Sequence, residues 1–191
     1  MLIAIDIDEV LAETVSAFVK KYNQIYKTNL KRSDFYTFDW WKVIGISFEE
    51  FKKRYGKMIE DGFFKDLKPK EGAPAGVKAL AEKYALIAVT ARPRSLATTT
   101  EEWLEKYFPH SFLGVEYTRE KPLSHEIESK FSICRRRGVN ILIEDDLEYA
   151  EECAENGIKV FLFDAPWNQH LKETAYLIRV YSWPEIVKEL L

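Results

Sequence analysis

Six short apolar runs, residues 2–7, 86–89, 112–117, 140–143, 160–163 and 178–181, recur along this 191-residue chain with helical patterns between most of them. Continuous apolar runs of this length suit strands buried on both faces. Strands alternating with helices predict an α/β fold: a doubly wound, Rossmann-like parallel sheet with helices on both faces. The intervening segments carry helix punctuation. Pro74, just after Gly72, suits the first turn of a helix reaching Leu80. Ser95 stands where it would cap a helix bearing Thr100, Trp103, Leu104 and Tyr107, which Pro109 ends. Residues 131–137 form a short helix closed by Gly138, and 147–156 another closed by Gly157.

One stretch breaks the alternation. From about residue 10 to 72 strand signals are sparse, and Leu11, Thr14, Val15, Phe18, Val19, Tyr22 and Ile25 recur at helical spacing. Ser47 with Glu50 makes a capping box for a further helix carrying Phe48, Phe51, Tyr55 and Ile59. The expected organisation is therefore a core of residues 1–12 and 72–191, with a helical cap, 13–71, inserted after the first strand and overhanging its end. Residues 35–41 hold five aromatics in seven positions. Most of these read as the cap's own small core, with one or two facing the cleft, where a ring would stack on a nucleobase.

Composition removes several classes. A net charge of −3 offers no bulk basic field for a nucleic-acid polymer or an anionic membrane. The basic run Arg135-Arg136-Arg137 precedes Gly138, where cations complement a helix C-terminus. Cys134 and Cys153 form no C-x-x-C pair, so reduced thiols are expected rather than a disulfide framework or a zinc site. His110, His125 and His170 are scattered without metal-ligand spacing. The first apolar run is broken by Asp6 and Asp8, which suits neither a signal peptide nor a membrane span, and a cytoplasmic setting is expected.

Those two aspartates are the chemical signal. They stand at the C-terminal end of the first strand, where open α/β sheets bind ligands. Residues i and i+2 of a strand point to one side, so Asp6 and Asp8 are expected to share a small volume and repel unless a cation or phosphoryl chemistry uses them. More polar groups follow later strands: Thr90, with Ala91 and Arg92 beyond it, and Glu144-Asp145-Asp146. Lys130 precedes a helix, where a cation opposes the macrodipole unless an anion is near. Together they fit phosphoryl transfer. Asp6, the Asp8 carbonyl and Asp145 are hard oxygen ligands of the kind Mg²⁺ takes. Asp6 is suited to attack phosphorus, and Asp8 to protonate the leaving oxygen and then deprotonate water. Lys130 and the Thr90 hydroxyl, with nearby backbone N–H groups, would offset the phosphate charge. Arg92 suits phosphate or acidic-substrate contact, whereas Arg94 reads as a solvated loop charge.

The order of these parts resembles the haloacid dehalogenase-like (HAD) hydrolase superfamily over essentially the whole chain. Its D-x-D-x-[VT] motif matches Asp6-Ile7-Asp8-Glu9-Val10, its strand-ending Ser or Thr matches Thr90, its lysine matches Lys130, and its acidic pair falls within Glu144-Asp145-Asp146. The resemblance implies Asp6 as nucleophile and Asp8 as acid/base. Within the superfamily the chain is similar to 5′(3′)-deoxyribonucleotidases and related nucleotidases, through residues 3–12, Ser129-Lys130, 142–150 and 161–168. Such relatives carry two aspartates in the acidic pair, and here three acids run together. Aligning Glu144-Asp145 with the pair makes Asp145 the metal ligand and Glu144 a water-mediated one; Asp146 as ligand is the competing register. The expected activity is Mg²⁺-dependent hydrolysis of a small phosphomonoester, a (deoxy)nucleoside monophosphate, through an aspartyl-phosphate. A sugar phosphate is the alternative substrate, and a non-enzymatic phospho-accepting switch the alternative class. The sequence leaves the oligomeric state open, monomer or homodimer.

Overall fold

Every one of the six apolar runs lies in or beside a strand in the computed structural model, which describes all 191 residues. The strands are β1 (Leu2–Ile5), β2 (Ala85–Pro93), β3 (Val115–Arg119), β4 (Ile141–Glu144), β5 (Lys159–Phe163) and β6 (Leu177–Val180). They form one all-parallel sheet in the order β3-β2-β1-β4-β5-β6. The chain winds outward through β2 and β3, then returns to the far side of β1 for β4. The crevice where the order reverses, at the carboxyl ends of β1 and β4, is where such sheets bind ligands. The doubly wound α/β expectation is met.

Alternation along the strands splits the core in two. Ile3, Ile5, Ala88, Ile143 and Phe161 face one way, toward Val77, Trp103 and Ile186 of α4 (Ala73–Ala81), α5 (Ala97–Tyr107) and α8 (Trp183–Leu190). Ala4, Ile87, Leu142 and Leu162 face the other, toward Ile133, Cys134, Ala150 and Cys153 of α6 (Lys130–Arg137) and α7 (Leu147–Glu155). Both cysteines are buried and free. Gly76 of α4 permits a close approach to α8, because a Cβ there would lie 2.6 Å from the Trp183 ring.

Between β1 and β2 come α1 (Thr14–Tyr26), α2 (Trp40–Ile44) and α3 (Phe48–Glu60), the helices of the insertion. Its aromatics do not form a separate small core. Phe18, Tyr22, Phe35, Phe51, Phe63 and Phe64 run without a break into the apolar cluster on the α4–α5–α8 face. The expected capping box at α3 is half made: the Ser47 hydroxyl accepts the Glu50 N–H at 3.2 Å, while the Glu50 carboxylate turns to Arg54.

Several boundaries differ from the sequence reading. The first strand stops at Ile5, because the Ile7 carbonyl accepts the N–H groups of Leu11 and Ala12 and folds residues 7–12 into a turn. Asp6 and Asp8 are thus loop residues, and strand alternation does not place them. β2 continues past Thr90 to Pro93, with an irregular register on β3 between those two residues. Ser95 does not cap α5; a 3-10 turn, Arg94–Leu96, feeds directly into it. α6 starts at Lys130, capped by Ser129, whose hydroxyl accepts the Ser132 N–H at 3.1 Å.

Candidate active site

At the switch point the chain concentrates charge out of water. Asp6, Glu144 and Asp145 are all buried, and one oxygen from each lies within 4.8 Å of the others. Backbone pairing holds two of them together, since the Asp6 N–H donates to the Ile143 carbonyl at 2.9 Å and so extends the β1–β4 ladder. Lys130 enters from the first turn of α6, and its side chain is only 2% exposed. Its ammonium donates to Asp6 Oδ1 and Glu144 Oε2, both at 2.7 Å, and sits 4.7 Å from the centre of the Tyr149 ring. The anion that its awkward position at a helix N-terminus demands is therefore two carboxylates. Glu144 is fully engaged, because its other oxygen accepts the N–H groups of Asp145 and Asp146, each at 3.1 Å.

Asp145 has no such cation. Its carboxylate accepts one hydrogen bond, from the Trp167 indole at 2.9 Å. Asn168 braces the same residue, donating to the Asp145 and Phe163 carbonyls at 2.8 Å each. Asp146 turns away to cap α7, accepting the Glu148 N–H at 2.9 Å. Of the two candidate registers, Asp145 is thus the residue directed into the acidic cluster.

Three buried carboxylates stand near a single ammonium that bonds only two of them, and the electrostatics follow. Burial, only partly offset by Lys130, pushes Asp6 up to about 8. Burial, then the neighbouring Glu144 and Asp6 charges, holds Asp145 well above the usual carboxylate range. Burial works against the Lys130 charge, but Asp6 and Glu144 overcome it and raise its pKa well above 10.5. A cluster of hard oxygens with surplus negative charge and little water is the donor set a divalent cation requires. The residues present fit such an ion, with Asp6 and Asp145 as its side-chain ligands.

Asp8 stands apart. Burial opposes its charge, but Arg92 and the Thr14 hydroxyl hold its pKa below 3.8. Arg92 donates to it through Nε and Nη2, both at 2.9 Å, and Thr14 Oγ1 at 2.5 Å. Thr90 is buried and outside the cavity lining; its hydroxyl accepts the Arg92 N–H at 3.1 Å. Asp6, Asp8, Ala91, Arg92, Lys130 and Asp145 all line one cavity of about 280 Å³. Arg94 lies outside it, paired with Glu120 on the surface.

The far wall of that cavity belongs to the insertion. Phe38, Trp40, Trp41, Phe51, Tyr55 and Ile59 line it, so three aromatics of residues 35–41 reach the cleft, more than the sequence suggested. Phe38 packs on Trp167 with ring centres 5.5 Å apart. Sequence reasoning missed Glu9 and Arg32 altogether. Glu9 takes φ +64° in the turn, accepts the Val15 N–H of α1 at 2.7 Å, and receives Arg32 through two donors at 3.1 and 2.8 Å. Arg32 also lies 5.2 Å from the centre of the Trp167 ring. The signal for Glu9 was faint: a carboxylate inside an apolar segment, six residues ahead of a helical N–H.

Known proteins share this fold. A solved haloacid dehalogenase-like hydrolase from Streptococcus pneumoniae superposes with a TM-score of 0.69 at 12% identity, covering 100% of this chain and 98% of that one. A HAD-superfamily hydrolase from Geobacter sulfurreducens gives 0.65 at 16% identity, covering 99% and 95%. In sequence, a 5′(3′)-deoxyribonucleotidase of Bacillus subtilis (strain 168) is 30% identical over 196 aligned positions, spanning 100% of this chain and 98% of the relative. The family model described as 5′ nucleotidase, deoxy (Pyrimidine), cytosolic type C protein matches residues 1–191, so the switch-point cluster, the cavity and the insertion above it all fall within the match, and the chain belongs to that family.

Proposed function

We propose that this protein is a cytoplasmic, Mg²⁺-dependent phosphomonoester hydrolase that dephosphorylates (deoxy)nucleoside monophosphates. The observation that carries the reading is the Asp6–Lys130–Glu144–Asp145 cluster opening into a cavity whose opposite wall is aromatic. Residues 1–12 and 72–191 act as the catalytic core, and 13–71 as the cap that takes the nucleoside. The substrate class is supported by the name of the B. subtilis relative and by a wall able to stack on a base. No helix is long and apolar enough to cross a membrane.

The chemistry runs in two displacements. An Asp6 oxygen bonds to phosphorus, the ester P–O bond breaks, and the leaving oxygen takes a proton through Asp8, whose anionic carboxyl first picks it up from the incoming phosphate monoanion. Water then attacks the phosphorus of the aspartyl-phosphate and gives its proton to Asp8; the Asp6–P bond breaks, releasing inorganic phosphate and restoring both carboxyl groups. Lys130 holds Asp6 in place and offers positive charge to the phosphoryl oxygens. Bound through Asp6, Asp145 and the Asp8 carbonyl, Mg²⁺ would supply the remaining charge compensation that lets an anion approach an anionic phosphate. Oxygen-only donors favour it over softer metals.

The test is phosphate release across a panel of nucleoside monophosphates and sugar phosphates, with Mg²⁺ and with EDTA. Activity should favour nucleotides, vanish in EDTA, and fall by more than about a thousand-fold in Asp6→Asn. Release that survives EDTA, or an active Asp6→Asn protein, overturns the mechanism. Activity confined to sugar phosphates overturns the substrate class alone.

A further inference from the structure

Arg92 is placed to do something other than bind phosphate. Its side chain is 1% exposed, and its guanidinium is held between aromatic rings, 4.6 Å from the centre of Phe64 and 5.6 Å from that of Trp103. Two of its three nitrogens are spent on Asp8, and the third, Nη1, is buried without a hydrogen-bond partner beside those rings. Trp103 is fixed in turn, since its indole donates to the Leu67 carbonyl at 2.8 Å. A guanidinium so enclosed cannot swing onto a substrate.

Its effect falls on Asp8, which remains 31% exposed to the cavity. A carboxylate has about four lone-pair sites. Oδ1 accepts both Arg92 Nη2 and Thr14 Oγ1, while Oδ2 accepts Arg92 Nε. One site is left, on Oδ2. We propose that Arg92 is a positioning residue which, with Thr14, orients the Asp8 carboxyl so that Oδ2 alone exchanges the proton with the leaving oxygen and the attacking water. This rests on the hydrolase reading above, deepens it, and replaces the substrate-binding role the sequence suggested for Arg92. The rings of Phe64 and Trp103 tie that orientation to the segment where the insertion returns to the core.

A positioned acid matters in proportion to how poor the leaving group is. The test is single-turnover release of alcohol from thymidine 5′-monophosphate, a poor leaving group, and from p-nitrophenyl phosphate, whose phenolate departs without help. In Arg92→Lys, which keeps the charge but loses the fork, nucleoside release should slow about ten- to a hundred-fold. Release of p-nitrophenol should change several-fold less, and KM for both should stay near wild type. Thr14→Val, which removes the second restraint, should shift the ratio in the same direction and guards against an Arg92 variant that fails to fold. Equal slowing on both substrates, or a raised KM with unchanged rate, would sink the proposal and return Arg92 to phosphate contact. Wild-type protein inactive on both compounds would instead sink the hydrolase reading, and this proposal with it.

Discussion

At the scale of single residues, Asp6 is one of the buried carboxyls through which the metal-free protein answers to pH. Its native pKa, pushed up to about 8, lies above its ordinary 3.8. A raised native value means that the folded state binds the proton more tightly than the unfolded chain. Asp6 therefore contributes stability that is fully present below pH 3.8 and is lost as pH rises through about 8. Asp145 and Glu144 shift in the same direction, while Lys130 titrates far above this window. In EDTA the urea midpoint should fall between pH 5 and pH 8, and Asp6→Asn should flatten that slope. A wild-type midpoint that is level or rises across the interval contradicts the charge balance described here. The identity of these residues was readable in the chain, because Asp6, Lys130 and Asp145 each flank a strand or helix end. Their partners were not. Nothing in Arg92 as a letter separates a guanidinium forked onto Asp8 from one facing substrate, since that depends on rings contributed by residues 64 and 103.

Among the elements, α4 and α8 approach closely at a glycine. The missing side chain of Gly76 admits the Trp183 ring, and the same indole donates to the Val10 carbonyl at 3.0 Å, inside the turn that carries Asp8 and Glu9. Gly76→Ala puts a methyl group where no carbon fits. The ring must move, at a cost of about 1–3 kcal/mol for overpacking, which outweighs the roughly 1 kcal/mol that alanine gains in helix propensity. Thermal unfolding should register a net loss, with Gly56→Ala, where a Cβ meets open space, as the stabilising control. Strand existence was legible because each run is mostly apolar, with charges only at Asp6, at the end of the first run, and at Glu116 and Arg179 in the two edge runs. Strand ends were not, because β1 is cut by a main-chain turn at Ile7 and β2 is prolonged by pairing with β3, neither of which leaves a pattern in side-chain type. The Ser129 cap has a sequence signature, a serine directly before the helix; the 3-10 entry to α5 has no comparable one.

For the whole molecule, sheet and insertion behave as one packed body around an acidic centre. An ion that binds the folded state alone stabilises it by about 2.7 kcal/mol at a hundred times its Kd. Millimolar Mg²⁺ should therefore raise Tm, EDTA should reverse the rise, and Asp145→Asn should abolish most of it. A Tm indifferent to Mg²⁺ would remove the ion from this site. Fold class and the acidic centre were legible because they depend on periodicity and on charges at strand ends. The cap's pocket was not, since Phe38, Trp40 and Trp41 look alike on paper and only packing separates them from Phe35, which is wholly buried.

Trp167 joins these scales. Its indole N–H holds Asp145, while its ring lies beneath Arg32 and Phe38 from the insertion. Of the five tryptophans in the chain, it alone touches both the acidic cluster and the residues that roof it. The protein thus carries its own optical reporter: a change in the charge on Asp145 or in the seating of the roof reaches one chromophore, and emission lost in Trp167→Phe reads both events without a label.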